Sequence, residues 1–426
     1  MAVVTRLLAL VLTLAVMSPA LGAGQSANGK TPQVAFIHIE SPAKRMQYLA
    51  TAQIWADPGE LTPEALFAGP PLEDGSGLEK ALDGHPFPCT FTTPGRVMGG
   101  NTPKFLCTTD AGQTIRVKYT DGSKNGNREV FAAVAASRVL WALGFKSDPI
   151  YPIAIDCRDC PRDPMTGKGP IAQRPYLAIY QPQFTQPVMV DRSEQNQGWK
   201  WAELDRAIDS LPEGELRSRQ RQYFDALMLA GVILQHGDRK PEQQRLGCRG
   251  LLNLEAGDIR TVEPRSNNNL PVFFERPGAT ACDSPDVAVQ DMGATFGGAG
   301  RRTNAATAKM NLRSWTARPV FYPAAKAAAG AVPECRGQLT VSMAAGAESL
   351  ANPRIGEAGR LFLLDRLRRL TDDHLRAIFT AARVEKMTDD HTWRDPENAT
   401  AYTGIDAWIA AAKYKVRQIQ ERTCAP

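Results

Sequence analysis

The chain has 426 residues, 43% of them hydrophobic and 22% charged, enough for a packed core in one large domain or two ordinary ones and not the composition of a disordered chain. A formal net charge of +5 over that length is mild. It makes no case for a nucleic-acid partner, although it suits an anionic ligand.

In chain order, Arg6 stands before an apolar run from Leu7 to Met17, and Pro19-Ala20-Leu21-Gly22-Ala23 follows with small residues at the expected cleavage point. This three-part pattern predicts a secretory signal over residues 1–23 and a periplasmic or secreted product. The run is short for a membrane span, and no later stretch is apolar enough to make one. All eight cysteines fall after the signal: Cys89, Cys107, Cys157, Cys160, Cys248, Cys282, Cys335 and Cys424. An even count in an exported chain favours disulfides, with pairing in sequence order the simplest arrangement. Cys157-Arg-Asp-Cys160 can also be read as half a zinc site or a redox pair.

Val34 to Glu40 alternates and reads as a strand, Ala43 to Ala56 as a helix, and Asp57 to Pro88 as loop with short helical pieces. Met98 to Lys118 reads as a hairpin, with strands at Phe105–Thr108 and Thr114–Tyr119 about a turn at Asp110-Ala111-Gly112. Arg128 to Phe145 reads as an amphipathic helix closed near Gly144. Strands are expected at Pro149–Ile155 and Leu177–Tyr180, with a loop over Asp156–Ile171 and a connector over Gln181–Pro187. Helices follow at Glu203–Leu211 and Glu213–Gln235, then short strands at Leu251–Glu255, Val272–Glu275 and Asp286–Val289, then an irregular glycine-rich stretch over Thr295–Lys309. Three helices close the chain: Gly356–Leu370, Thr371–Ala382, with Thr371 as its cap, and Ile405–Thr423.

Phosphoryl transfer needs few parts: backbone over the phosphates, a lysine on them, a carboxylate for the lysine, metal ligands, and a carboxylate that orients the acceptor hydroxyl. Candidates occur in that order. Met98-Gly99-Gly100-Asn101-Thr102-Pro103-Lys104 lets backbone N–H groups approach an anion. Lys118 sits on a strand, in Ile115-Arg116-Val117-Lys118, and Glu129 opens the next helix, where it is expected to face Lys118. His236-Gly237-Asp238-Arg239-Lys240 follows an apolar helix, with Asp238 as candidate base and Gln243 (or Gln244) as a candidate metal-ligating amide. Asp291-Met292-Gly293 follows an apolar strand, which suits a magnesium ligand before a glycine hinge. Thr166-Gly167-Lys168-Gly169 lacks the upstream glycine, the following hydroxyl and the helix of a phosphate loop. A hydrolase is disfavoured, because none of the five histidines sits in HExxH and no Gly-x-Ser-x-Gly elbow occurs.

These motifs resemble those of the protein-kinase-like superfamily, in its atypical branches: HipA-like kinases, phosphoinositide 3/4-kinases and secreted Golgi-type kinases. Gly99-Gly100-x-x-Pro103-Lys104 is similar to the phosphate turn of the HipA-like group, and Asp291-x-Gly293-x-x-Phe296-Gly297 to the metal motif of lipid-kinase-type members. The chain departs at the catalytic-loop amide, where the family has Asn, and it has no Ala-Pro-Glu motif. The resemblance implies an α+β, bilobal kinase-like fold, braced by disulfides. It divides the chain into an N-terminal extension (24–97), a strand-rich N-lobe (98–190) and a mainly helical C-lobe (191–426). It implies ATP and Mg2+ (or Mn2+) as cofactors, with Gly99, Gly100, Thr102, Lys104 and Lys118 on the nucleotide, Glu129 holding Lys118, Asp238 on the acceptor, and Asp291 and Gln243 on the metal. The acceptor stays open among protein, lipid, sugar and small molecule. A kinase-fold module without catalysis is the alternative.

Overall fold

The computed structural model describes residues 36–39, 41–72, 78, 85–93, 102–120, 127–172, 175–182, 188–190, 198–249, 259–262, 270–274, 282–297, 309–323, 332–339, 350–387 and 391–425. The expected signal, Gly99 and Gly100, and the strand expected at Leu251–Glu255 lie outside them. Within them the protein is a mixed α+β structure with two hydrophobic cores.

The smaller core fills a closed five-stranded barrel. Its strands run in the order Phe87–Thr92, Lys104–Thr109, Thr114–Thr120, Pro175–Tyr180 and Tyr151–Arg158, and the last pairs in parallel with the first to close the ring. Alternation makes this possible. Along Lys104–Thr109 every second residue is buried, and Tyr151, Ile153, Ile155 and Cys157 turn inward the same way. The Phe87–Thr92 strand begins inside the expected Asp57–Pro88 loop and runs beyond it. The expected loop over Asp156–Ile171 also holds structure: the preceding strand runs on to Arg158, and a small hairpin pairs Pro161–Asp163 with Lys168–Ile171.

The larger core lies between helices and a six-stranded sheet ordered Ile259–Val262, Leu270–Phe274, Phe36–His38, Val188–Val190, Gln244–Cys248, Pro285–Val289. The strand Phe36–His38 pairs in parallel with both Leu270–Phe274 and Val188–Val190, so distant parts of the chain share one sheet. The Pro42–Thr51 helix begins with Ser41 accepting from the Lys44 N–H and Pro at its first position. The last helices run Glu357–Arg368, Asp372–Ala381 and Gly404–Gln420, and Thr371 caps the second as its sequence suggests.

The Glu129–Ala142 helix corrects an expectation. It is buried on every face from Glu129 to Leu140, not amphipathic, because it is packed between the barrel and the Asp372–Ala381 helix. Its polar residues find partners inside: the Ser137 hydroxyl donates to the Asp148 carbonyl, and Arg138 donates through one nitrogen to the Ala68 carbonyl and lies over the Tyr151 ring.

Four disulfides join the cysteines in sequence order: Cys89–Cys107, Cys157–Cys160, Cys248–Cys282 and Cys335–Cys424. The Cys157–Cys160 pair is therefore a disulfide and not half a zinc site. No helix among the described residues is long and apolar enough to cross a membrane.

Candidate functional site

Lys118 stands on the outer face of the barrel. Its neighbours Val117 and Tyr119 both point into the barrel core, so alternation turns Lys118 the other way. Lys104 lies directly opposite it across the strand pair. Two like charges in that register repel and call for an anion between or beside them. The lysines' surroundings supply one: Lys118 Nζ sits 2.8 Å from Asp291 Oδ1. Lys104 is held below the usual lysine range, first by burial and then by the positive charges of Lys118 and Arg116.

Asp291 leaves the edge strand Pro285–Val289 with a left-handed backbone (φ 53°), which Asp tolerates better than most residues. Burial alone would raise its pKa, but Lys118, with smaller help from Arg116 and His236, overcomes this and brings it to about 2. Gly293 follows where there is little room for a side chain. A Cβ built there meets Glu129 Cβ at 3.0 Å and Cγ at 3.1 Å.

Glu129 does not hold Lys118. Its carboxylate accepts from Lys309 Nζ on one oxygen and from the Thr102 hydroxyl on the other. The expected Lys118–Glu129 pair is thus replaced by Lys118–Asp291 and Lys309–Glu129, because Asp291 reaches Lys118 while Lys309 is buried against Glu129. Thr102, expected on the nucleotide, has its hydroxyl committed to Glu129. Gly99 and Gly100 lie outside the described residues.

Asp238 arrives from a different element. The Glu215–Leu234 helix ends on Gln235 in the left-handed region (φ 52°), which turns the chain into His236-Gly237-Asp238. Two backbone bonds tie this loop to the Asp291 segment: Gly237 N–H to the Ala294 carbonyl at 2.9 Å, and Phe296 N–H to the Leu234 carbonyl at 2.7 Å. The Asp238 carboxylate lies 3.3 Å from Lys240 Nζ. Its pKa is raised, by burial first, with Lys240 opposing and the Asp291 charge assisting. A raised carboxylate is better matched to proton transfer near neutral pH than an ordinary one. His236 is fully buried with no hydrogen-bond partner on either ring nitrogen among the described residues. Burial, reinforced by Arg239, lowers its pKa to about 3, so it is neutral.

Gln243 ends the short 3-10 turn Pro241–Gln243, and its carbonyl accepts from the Gln290 N–H at 2.8 Å. This sets its backbone beside the residue preceding Asp291. Gln244 is fully buried, donates weakly to the Lys240 carbonyl at 3.5 Å, and leaves its Oε1 without a partner. The expected brace of this region holds: Gln244–Cys248 and Pro285–Val289 form an antiparallel pair, and Cys248–Cys282 crosslinks its end.

Two residues carried no motif in the sequence. Lys309 lies in the glycine-rich stretch that reads as irregular. Asp148 stands just before the strand expected at Pro149–Ile155; in the structure it is buried and accepts from the side-chain amides of Gln290 and Gln181 and from the Asp291 N–H. Burial raises its pKa to about 6 against the pull of these donors.

The donor set fits a magnesium-type ion only in part supplied by protein. No cluster of three His, Cys, Asp or Glu exists among the described residues. Asp291 keeps a carboxylate side chain 30% exposed, and an orphaned amide oxygen lies on Gln244. One carboxylate and an amide, completed by phosphate oxygens and water, is the usual way such an ion is held at a nucleotide. Two larger cavities lie elsewhere. One of about 410 Å³ is apolar and lined by Val139, Ile233, Phe296 and Trp315; another of about 640 Å³ lies by Asp57, Arg366 and His374. Neither is lined by Lys118, Asp238 or Asp291, whose own ion pairs close the charged cluster.

No family model and no curated protein matches the chain. Among solved structures it is similar to the crystal structure of a Helicobacter pylori proinflammatory kinase, CtkA, at 13% identity and a TM-score of 0.33, over 78% of this chain and 99% of that one. A likeness of that size assigns neither fold family nor activity, and the reading of the site rests on its own geometry.

Proposed function

We propose that the chain is an exported atypical kinase, which transfers the γ-phosphoryl group of ATP to a hydroxyl acceptor. ATP and Mg2+ (or Mn2+) would sit between an N-lobe (98–190), whose barrel also takes the strand Phe87–Thr92 from the extension (24–97), and a C-lobe (191–426), with 1–23 as the export signal. The observation that carries the reading is the Lys118–Asp291 contact of 2.8 Å, made by a barrel strand and a strand end, with the Asp238 loop hydrogen-bonded to the same Asp291 segment.

The residues divide the work by charge. Lys118 and Lys104 form a paired cationic face suited to phosphate oxygens. Asp238, with its raised pKa, accepts the proton of the acceptor hydroxyl. Asp291, ionised at any working pH, would hold the metal with the amide of Gln243 or Gln244. The metal, when bound, supplies further neutralisation of the phosphate oxygens. Glu129 fixes Lys309 and Thr102 at the edge of the cluster.

A second reading has its own support. Lys118 and Asp291 neutralise each other, and Thr102 is committed to Glu129, so these two contacts need no ligand. That suits a catalytically inactive kinase-fold module that binds a nucleotide or acts as a scaffold. Thermal shift with ATP and Mg2+ or Mn2+, read beside phosphate release, separates the two. The kinase reading expects metal-dependent stabilisation and turnover that disappears in Asp238→Ala while nucleotide binding persists. Stabilisation without turnover favours the module, and a fully active Asp238→Ala variant overturns the role given to Asp238.

A further inference from the structure

The barrel meets the six-stranded sheet at a seam where residues 146–148, between the Glu129–Ala142 helix and the barrel strand Tyr151–Arg158, pair with Val289. Val289 N–H donates to the Lys146 carbonyl at 3.0 Å, and Asp148 N–H donates to the Val289 carbonyl at 3.3 Å. Asp148 closes this seam with its side chain. One carboxylate oxygen accepts from the Gln290 amide; the other accepts from the Gln181 amide and, at 3.4 Å, from the Asp291 N–H. These donors belong to different segments. Gln181 directly follows the Pro175–Tyr180 strand, on which Ile179 is the register partner of Lys118. Gln290 and Asp291 follow the Pro285–Val289 strand.

Asp148 therefore touches both sides of the Lys118–Asp291 contact and neither of its charged atoms. It is 2% exposed and makes no ion pair among the described residues. A buried carboxylate with no ion-pair partner, helped only by the more distant charge of Arg245, is costly, and a merely structural bridge between two glutamines needs no charge. Three converging N–H donors on one carboxylate fix that site more tightly than a neutral acceptor does. Asp291 also needs fixing, because its left-handed φ of 53° has to be maintained by its surroundings.

We propose that Asp148 is a positioning residue for Asp291: it holds the Asp291 backbone in register with the barrel strand beside Lys118, and so sets the Lys118–Asp291 contact. The contact itself is independent of function; its consequence for metal binding rests on the kinase reading above.

The test uses amine-reactive labelling of the full exported chain, read lysine by lysine by mass spectrometry. In the folded protein Lys118 is shielded by Asp291, and Lys146 by its own partner Asp286 at 2.5 Å in the same seam. Asp148→Asn should raise labelling of Lys118 towards the level seen in Asp291→Asn and leave Lys146 at the wild-type rate. Gln181→Met, which removes one donor without removing the carboxylate, should raise Lys118 labelling less. Unchanged Lys118 labelling, or Lys118 and Lys146 rising together, overturns the proposal, the second because it marks loosening of the whole seam. Where wild type shows metal-dependent nucleotide binding, Asp148→Asn should also weaken the Mg2+ half-saturation by about 10- to 100-fold, with metal-free nucleotide affinity unchanged. If wild type binds no metal-dependent nucleotide, the kinase reading fails while the labelling result still decides the role of Asp148.

Discussion

The barrel and its seam with the helical part bury opposite kinds of residue. Inside the barrel, Phe105, Tyr119 and Tyr176 meet edge-on or tilted, and Val117, Ile153 and Ile155 fill the rest. Along the seam the buried side chains are Lys118, Glu129, Asp148, His236, Asp238, Arg239 and Lys309. A packed barrel can stand on dispersion and apolar burial alone. Buried charges cost free energy unless paired; elsewhere Arg45, Arg360 and Asp395 are each answered by an adjacent ion pair, whereas the seam sets several carboxylates and lysines against one another. The seam is thus the part of the molecule to perturb, and the remainder is the control.

The largest expected effect lies outside both regions and calibrates them. Cys335–Cys424 closes a segment of 89 residues, whereas Cys157–Cys160 spans 3. On the chain-entropy model the long closure contributes about 4 kcal/mol. Replacing both Cys335 and Cys424 by Ser should lower the unfolding free energy read from denaturant titration by that amount, and the same change at Cys157 and Cys160 should do much less. Equal losses for the two pairs would mean that unfolded-chain entropy is not what these bonds restrict.

The next effect belongs to the seam. Asp291→Ala leaves Lys118 buried without its carboxylate, a loss of about 3 kcal/mol for a largely buried pair. Lys118→Met combined with Asp291→Ala should recover much of that, because no charge is then stranded. Denaturant unfolding of the two variants and wild type reads the difference directly. A double variant no more stable than the single one would show that the pair is not the coupled unit described here.

The same contrast explains what was legible in the sequence. Barrel strands announce themselves by alternation, so Phe105–Thr108 and Thr114–Tyr119 are readable, and Thr371 before two acids marks a helix start. Pro88 hides the strand Phe87–Thr92, whose partner in closing the ring, Tyr151–Arg158, is far away in sequence. Ser137 and Arg138 make the Glu129–Ala142 helix look amphipathic, since a sequence does not reveal that Asp148 and Ala68 carbonyls await them. At the seam, Lys118, Asp238 and Asp291 stand out because each sits at the end of an apolar element. Their pairing does not, because the lysine that Glu129 takes is 180 residues away in a stretch without periodicity. Asp148 offers no pattern at all: a single carboxylate before a proline becomes informative only when Gln181, Gln290 and the Asp291 N–H are seen to converge on it.

The smallest effect concerns His236 and pH. Its folded pKa of about 3 lies below the ordinary 6.5, so the folded state keeps it neutral while the unfolded chain protonates it. Its contribution to stability is fully present above pH 6.5 and is lost as pH falls from there towards 3, at roughly 1 kcal/mol per pH unit. Asp148 and Asp225 work the other way. Both are raised from 3.8 to about 6, so their contribution is fully present below 3.8 and is lost as pH rises through 6. The wild-type profile between pH 4 and 6 mixes the two signs, and a difference against one variant separates them. Neither ring nitrogen of His236 has a partner among the described residues, so His236→Leu removes no hydrogen bond seen there. The variant should match or exceed wild type at pH 7 and gain on it by roughly 2 kcal/mol at pH 5 in urea unfolding. An offset that stays constant from pH 7 to pH 5 would mean that His236 titrates freely, and the seam would then lose the buried neutral imidazole that sets it apart from the barrel.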